Sequence, residues 1–490
     1  METAGQQTMK DSKLMRWSML VMISVLFFAT YWFQDVFSPL KDLMEQDLGV
    51  DSGSFGVVVS ATTWANCLGM ILIGGFILDR WGIRLSAFLF GLLVTAGGAL
   101  TCLGASDVLT QDTSEKILIM AAGRIVFGIG LEITCVIVSR VVVKWFKGHE
   151  LALAMAINVG FGRLGSFFAV SFGLDISNNQ VVPALGFAAS LIGAAFILLL
   201  IYLVFDKRLD KQVQVDLDEE EEKFSLGDFF KLIKNPTFLW IASLCVVYYS
   251  AVFPFIGAYG PSVLHHNFGF SMALPANFAD MSFMDKVSAY LTNGPKITGL
   301  IPLGSILFTP IFGWLIDKHG KAASMMLIGS VLLIFSHVTM AFLQINALAY
   351  LALFCLGVAF SLVPAAMWPS VAKIVRENRL GTAYASMFTI QNWGLALFYW
   401  LPGQILDLTT SDFTWAASSS PAFTSMFTVQ NWGLAPFFYL PGQLIDLAES
   451  DYTLAVSPFL VLGFVSIWCA LQLKKSNRRH EYGLEKPFAN

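Results

Sequence analysis

Residues 122–170 read AGRIVFGIGLEITCVIVSRVVV, then KWFKGHE, then LALAMAINVGFGRLGSFFAV. Each apolar arm is long enough to cross a bilayer, whose hydrocarbon core takes about 20 helical residues. The short polar link makes the arms a helical hairpin that turns at one membrane face. Each arm carries an ionisable residue well inside it, Glu132 in the first and Arg163 in the second. Glu132 lies twelve residues before Lys144, and Arg163 lies thirteen after Glu150. At ~1.5 Å of rise per residue both sit roughly 18–20 Å from that face, hence at nearly one depth. A lone charge at a helix centre costs about 2.5–3.5 kcal/mol even on the mildest scale, so both are expected to face a protein interior or a wet cavity. Opposite charges at equal depth are either a structural ion pair or the two poles of a binding site. The binding site is favoured, because intramembrane ionisable residues are functional by default.

The rest of the chain agrees with a membrane location. Of 490 residues, 56% are hydrophobic and 13% charged, and the mean hydropathy is +0.67. The apolar residues come in blocks of about 20, the mark of a polytopic helical membrane protein. The net charge of -4 says little about partners, because the charges are segregated into loops. Cys67, Cys102, Cys135, Cys245, Cys355 and Cys469 all fall inside expected spans. They read as small buried residues and not as a disulfide or zinc framework. The N-terminal stretch has no cleavable-signal layout, so the first apolar block is expected to be retained. No Asn-x-Ser/Thr acceptor with a permitted middle residue occurs.

Hydropathy predicts spans near 16–37, 54–78, 85–105, 117–143, 151–174 and 182–205, then 237–264, 295–316, 322–344, 347–372 and 381–408, with 454–473 last and 425–447 ambiguous. Lys and Arg bias sets the orientation. A cytoplasmic N-terminus gathers Arg80, Arg84, Lys144, Lys147, Lys318, Lys321, Lys373, Arg376 and Arg379 on inner loops. The charged stretch 206–236 contains DEEEE and reads as a cytoplasmic linker. Its SLGDFFKLIK portion can form an interfacial amphipathic helix. The expected organisation is a bundle over 1–205, the linker over 206–236 and a second bundle over 237–490.

The halves repeat. GFILDRWGIR runs from Gly75 to Arg84 and contains Asp79, Arg80 and Gly82; GWLIDKHGK runs from Gly313 to Lys321 and contains Asp317, Lys318 and Gly320. The Gly residues are expected to allow close helix approach and a tight turn, and Asp79 and Asp317 to act in an inner gate joined by Arg140. A positive-inside loop with a turn Gly explains one copy but not two in equivalent places.

This pair resembles the signature loop of the major facilitator superfamily. The resemblance implies an all-α membrane protein of two six-helix bundles, a central cavity and rocker-switch alternating access. Arg124-x-x-x-Gly128-x-Gly130 is similar to that superfamily's fourth-helix motif. The strings GRIVFGIGLE (123–132), WFKGHEL (145–151), YYSAVFPFIG (248–257), MWPSVA (367–372) and LGTAYASMFTIQNWGLA (380–396) resemble one branch, the dipeptide uniporters whose animal member is lysosomal. In that family an acidic residue of the fourth helix and an arginine of the fifth face the two termini of a dipeptide. Glu132 and Arg163 are the matching positions. The N-terminal tail lacks the animal protein's acidic dileucine sorting signal, so a bacterial inner membrane or plasma membrane is expected rather than a lysosome.

Residues 386–416 return as 425–455, with 21 of 31 positions identical. This tandem duplication of span eleven is expected to give a re-entrant or surface-lying second copy, because Pro421, Pro436 and Pro441 break a straight helix. The basic tail then stays on the cytoplasmic side, as positive-inside bias requires.

Among the remaining candidates, Asp35 ends span one as a cavity, gate or interfacial residue. Arg124, about 80° round the helix from Glu132, either flanks the cavity or pairs with Asp35. Tyr248, Tyr249 and Trp368 are polar-tipped aromatics at depth, read as ligand contacts or as packing. Gln391 and Asn392 line the cavity or bond between helices. There is no phosphate loop, no nucleophile elbow and no metal-spaced His or Cys set, so no enzyme, cofactor or metal is expected. The expected partners are a small-molecule substrate and the lipid bilayer, without nucleic acid and with room for an accessory membrane subunit. Facilitated diffusion of dipeptides is the leading expectation. The alternatives are a proton-coupled carrier of sugars or organic anions, and a non-transporting sensor or scaffold.

Overall fold

The computed structural model describes residues 9–146, 149–212, 232, 234–343, 345–376, 380–410 and 451–487. They are nearly all helical, with one isolated bridge between Ser271 and Asn293. Helix α1 (Lys13–Asp35) is extended by α2 (Phe37–Leu48). Helix α3 (Ser52–Cys67) starts at Asp51, whose carboxylate accepts the Ser54 N–H at 2.6 Å. That bond satisfies one of the donors a helix start leaves orphaned. A bend of 55° leads into α4 (Met70–Ala105). This helix is itself broken at Gly82, where φ is 73°, a conformation open to glycine because it has no Cβ. The bent pair of α3 with Met70–Leu78 is therefore one span, and Arg80–Ala105 is the next. Helices α5 (Thr113–Phe146), α6 (Leu151–Ile176) and α7 (Val181–Gln212) complete the first bundle.

The second bundle opens with α8 (Pro236–Pro254), a π-turn over Phe255–Tyr259 and α9 (Gly260–Phe268). Pro254 and Pro261 account for the irregular turn, since each lacks the N–H of a regular ladder. A short helix, α10 (Phe283–Leu291), precedes α11 (Gly294–His319). Then follow α12 (Ala322–Val338), α13 (Asn346–Ile374), α14 (Leu380–Thr410) and α15 (Asp451–His480). Among the described residues, ten helices are long and apolar enough to cross a membrane, eleven with the bent pair. Helix α14 stands outside that count. Its 31 residues suffice for length, but Gln391, Asn392, Gln404 and Asp407 make it polar, and it packs against α3 and α8.

Span six was expected to end at 205, yet α7 continues to Gln212. Ion pairs hold the extra turns: Lys144 Nζ lies 2.8 Å from Asp206 and 2.5 Å from Asp210, and Arg84 lies 2.8 Å from Asp210. The expected amphipathic segment and the second copy of the duplication lie outside the described residues, apart from Leu232, Lys234 and the start of α15. Asp407, near the end of α14, accepts the Gly53 N–H at 2.7 Å, and Tyr452, at the start of α15, accepts from Lys41 Nζ at 2.8 Å. Helix α14 therefore ends at the face where α15 begins. The basic end of α15 lies at the same face as Lys13, termed here the terminal face.

The bundles meet along α3 with α14 and along α6 with α11. A Cβ on Gly56 would fall 2.8 Å from the Trp400 carbonyl oxygen, and one on Gly403 would strike that of Ser52. Such backbone contact is what small residues permit in membrane helix packing. Polar bonds between the bundles collect at the face opposite the chain ends. Ser38 Oγ donates to the Ile256 carbonyl at 2.6 Å, on the π-turn, and Ser262 Oγ donates to Asp42 at 2.8 Å. Nearer mid-depth, Trp393 Nε1 donates to the Cys67 carbonyl at 2.8 Å.

Candidate functional site

Behind the closed face, three helices of the first bundle turn ionisable groups toward the second. Helix α1 supplies Tyr31 and Asp35, one turn apart and so on one side. Helix α5 supplies Arg124 and Glu132, and α6 supplies Arg163. Tyr31 stands among Asp35, Glu132, Cys135 and Arg163. Asp35 bonds to the Ser166 hydroxyl and lies within electrostatic reach of Arg163 and Arg124. Glu132 faces the Asn392 amide of α14, in the other bundle. Arg163 also reaches across: its guanidinium carbon lies 4.3 Å from the ring centre of Phe360 on α13 and 5.6 Å from that of Phe253 on α8. A guanidinium face laid on a ring is a cation–π contact, and it leaves the N–H donors at the edge free.

Glu132 and Arg163 form no ion pair with each other or with any other described residue within 4.0 Å. Both are half-buried. Of the two readings of opposite charges at equal depth, the tied structural pair is absent from this state.

The other candidates take different places. Arg124 is fully buried under Phe37, 4.5 Å from its ring centre, with Nε and Nη1 lacking hydrogen-bond partners. It neighbours Asp35 and Tyr399 and does not face the open chamber. Tyr248 is fully buried and its hydroxyl is unbonded. Tyr249 accepts the Trp368 Nε1–H at 2.8 Å and stacks on Phe253 at 5.1 Å, so these two aromatics buttress the ring under Arg163. Gln391 accepts from the Cys245 thiol at 3.4 Å. Tyr399, whose carbonyl accepts from Tyr259 at 2.6 Å, sits beside Asp35 and was missed in the sequence. So were Phe253 and Phe360, because a phenylalanine in an apolar span carries no distinguishing signal.

The two signature loops lie at the terminal face. Arg80, Asp317 and Lys318 are exposed, and Lys318 lies 4.9 Å from the Trp314 ring centre. The Asp79 side chain lies outside the described residues, and Arg140 has a partner. Gly82 and Gly320, with φ of 73° and 69°, make the turns. Gly75 and Gly313 face open space, with nothing within 4 Å of a Cβ, so close approach is not their role in this state. The bundles touch directly at the opposite face, whereas at the terminal face Arg80, Asp317 and Lys318 are exposed and Arg84 pairs with Asp210 within the first bundle.

Two helical bundles that gather charged side chains between them and touch at one face have the build of a membrane transporter. Residues 23–399 match the family model described as Major Facilitator Superfamily, and the chain belongs to that superfamily. It is 31% identical over 401 residues to the lysosomal dipeptide transporter MFSD1 of Danio rerio, covering 79% of this chain and 80% of that protein. Against the same transporter of Homo sapiens it is 32% identical over 400 residues, covering 79% of each. Among solved structures, a bacterial homolog of the human lysosomal transporter Spinster matches with a TM-score of 0.63 and 15% identity, over 96% of this chain and 98% of that one. This last likeness concerns the fold alone.

Proposed function

We propose that this chain carries dipeptides, or similar small zwitterions, across a membrane by facilitated diffusion and alternating access, without catalysing a reaction. The observation that supports this reading is that Glu132 and Arg163 both lie within electrostatic reach of Tyr31 and form no ion pair. An extended dipeptide holds its ammonium and carboxylate about 5–6 Å apart, given ~3.8 Å between adjacent Cα atoms. Glu132 offers an acceptor for the ammonium. The free edge of Arg163 offers the bidentate fork that suits a carboxylate. The remaining walls are aromatic and apolar, which predicts broad tolerance of side chains and a strict need for free termini. The similarity to the two dipeptide transporters supports the same reading. The basic residues of the terminal face support a cytoplasmic side for it under the positive-inside rule, and on that reading the state described is inward-open.

Uptake of free and blocked dipeptides into proteoliposomes tests this. Arg163→Ala and Glu132→Ala should each abolish uptake, and Arg163→Lys should keep a little, because charge survives without the fork. N-acetylation or C-amidation of the peptide should do the same damage as the matching mutation. Equal transport of blocked and free peptides, or of hexoses and no peptide, would refute the assignment.

A further inference from the structure

We propose that Asp42, His265 and His266 form a divalent transition-metal site of the zinc type that pins the two bundles together at the face opposite the chain ends. Asp42 lies on α2 of the first bundle, and the histidines lie in the last turn of α9 of the second. One ligand atom from each comes within 4.8 Å of the others. His266 Nε2 is 3.4 Å from Asp42 Oδ2. Tetrahedral zinc with bonds of about 2.0–2.1 Å sets its ligand atoms ~3.4 Å apart.

The carboxylate is prepared for a ligand. Asp42 is 9% exposed, Oδ1 accepts from Ser262 at 2.8 Å and from Tyr452 at 3.4 Å, and buried Oδ2 has no closer polar partner than His266 Nε2. The rings are held as well. His266 stacks on Tyr452 with centres 4.3 Å apart, and His265 Nδ1 lies 2.6 Å from the Phe270 carbonyl oxygen. A carbonyl only accepts, so His265 Nδ1 carries the hydrogen and Nε2 keeps its lone pair, the second-shell arrangement of a metal-binding histidine. Lys41, 4.0 Å from Asp42 Oδ1, opposes a cation, but its ammonium is engaged by Glu45 at 2.5 Å and by the hydroxyls of Ser52 and Tyr452. The two carboxylates against one ammonium leave a formal charge of -1. Two imidazoles, one carboxylate and an exposed rim for water make a three-ligand zinc set.

Because the ligands come from both bundles, the ion binds only where they touch. It therefore shifts the population toward the form closed at this face. Zinc chloride titrated calorimetrically into the purified full chain, in a non-chelating buffer, tests the site. Hydrogen–deuterium exchange of segments 38–56 and 255–268 reads the closure without any substrate. Saturable binding is expected, with slowed exchange in both segments and full reversal by EDTA. His266→Ala and His265→Ala should each weaken binding by more than the ~10–100-fold that a lost outer-shell partner costs. Asp42→Asn, which keeps the side-chain shape, should do likewise. Absence of saturable binding to wild type, or equal binding by all three variants, would overturn the site. Binding that left exchange in both segments unchanged would overturn its role as a clamp.

Discussion

Glycine-56 gives the most direct handle on closure of the face opposite the chain ends. A Cβ built there lies 2.8 Å from the Trp400 carbonyl oxygen, 3.3 Å from Trp400 Cα and 3.3 Å from the Tyr259 hydroxyl. Two of those three atoms are backbone and cannot swing aside, so an added methyl must push α3 and α14 apart by several tenths of an ångström. Overpacking of this sort costs about 1–3 kcal/mol, and each ~1.4 kcal/mol is tenfold in an equilibrium, so Gly56→Ala should shift the closed-to-open ratio by roughly 5- to 150-fold. The larger Gly56→Leu should go further. Gly75→Ala and Gly75→Leu are the matched controls, because nothing lies within 4 Å of that Cβ. Labelling of single cysteines at each face reads the populations. The Gly56 series should gain reactivity at the opposite face and lose it at the terminal face, in step with side-chain size, while the Gly75 pair stays at wild-type levels in this state. A folded Gly56→Leu variant with unchanged labelling at both faces would show that the α3–α14 contact does not set the closed state.

Two further predictions concern ion pairs of unequal burial. Lys296, 6% exposed at its side chain, pairs with Asp175 and also donates to the Ser171 carbonyl at 2.5 Å, which joins α11 to α6. Asp175→Ala strands a buried ammonium, whereas Lys296→Met leaves a carboxylate that is 33% exposed and can hydrate. Asp175→Ala should therefore lower the thermal midpoint more than Lys296→Met, as read by fluorescence unfolding in detergent. The reverse order would mean that the pair's worth lies in the lysine's packing on Phe172. At the start of α6, Glu150's own backbone and then Arg16, 3.1 Å away, hold its carboxyl below the ordinary value of 4.5. A carboxyl depressed in the folded state contributes stability above the unfolded value, and that contribution fades as pH falls through the folded one. Wild type should thus exceed Glu150→Gln in thermal midpoint at neutral pH, with the gap closing below pH 4.5. A gap independent of pH would remove the linkage.

The fold was legible because membrane helices announce themselves by length and apolarity, and because the signature loop occurs twice. Boundaries were less so where local charge overrode hydropathy: α7 outran its apolar block because Asp206 and Asp210 found Lys144 and Arg84. Depth along a helix can be counted in residues, so the sequence alone sets Glu132 and Arg163 at one expected level. Direction and pairing across bundles could not. Nothing in the sequence tells that Arg124 is roofed by Phe37, that Gln391 is tied to Cys245, or that Phe253 and Phe360 meet Arg163. The same limit hid the meeting of Asp42 with His265 and His266, which lie on different bundles.

Charge balance in the chamber separates the substrate classes that this superfamily fold can accommodate. With both acids ionised, Glu132 and Arg163 carry one formal charge of each sign, and so do the buried neighbours Asp35 and Arg124 behind them. The four cancel. On the proposed reading a zwitterion would add no net charge and would meet one free pole of each sign, so contacts already in place would offset the desolvation of its ends. An organic anion would satisfy Arg163 but leave Glu132 facing like charge, with a net charge of -1 in a low-dielectric chamber. A sugar would need neither pole, and it would leave two costly charges without a task at the centre of the membrane. Arg163 adds a mechanical reason. It belongs to the first bundle but rests on two rings of the second, so a carboxylate bound at its edge is held where the bundles must part. On the proposed mechanism, rocking toward the other state would separate Arg163 from those rings. A carboxylate travelling with Arg163 would keep the guanidinium partnered through that step, which neither a blocked C-terminus nor a neutral sugar could do.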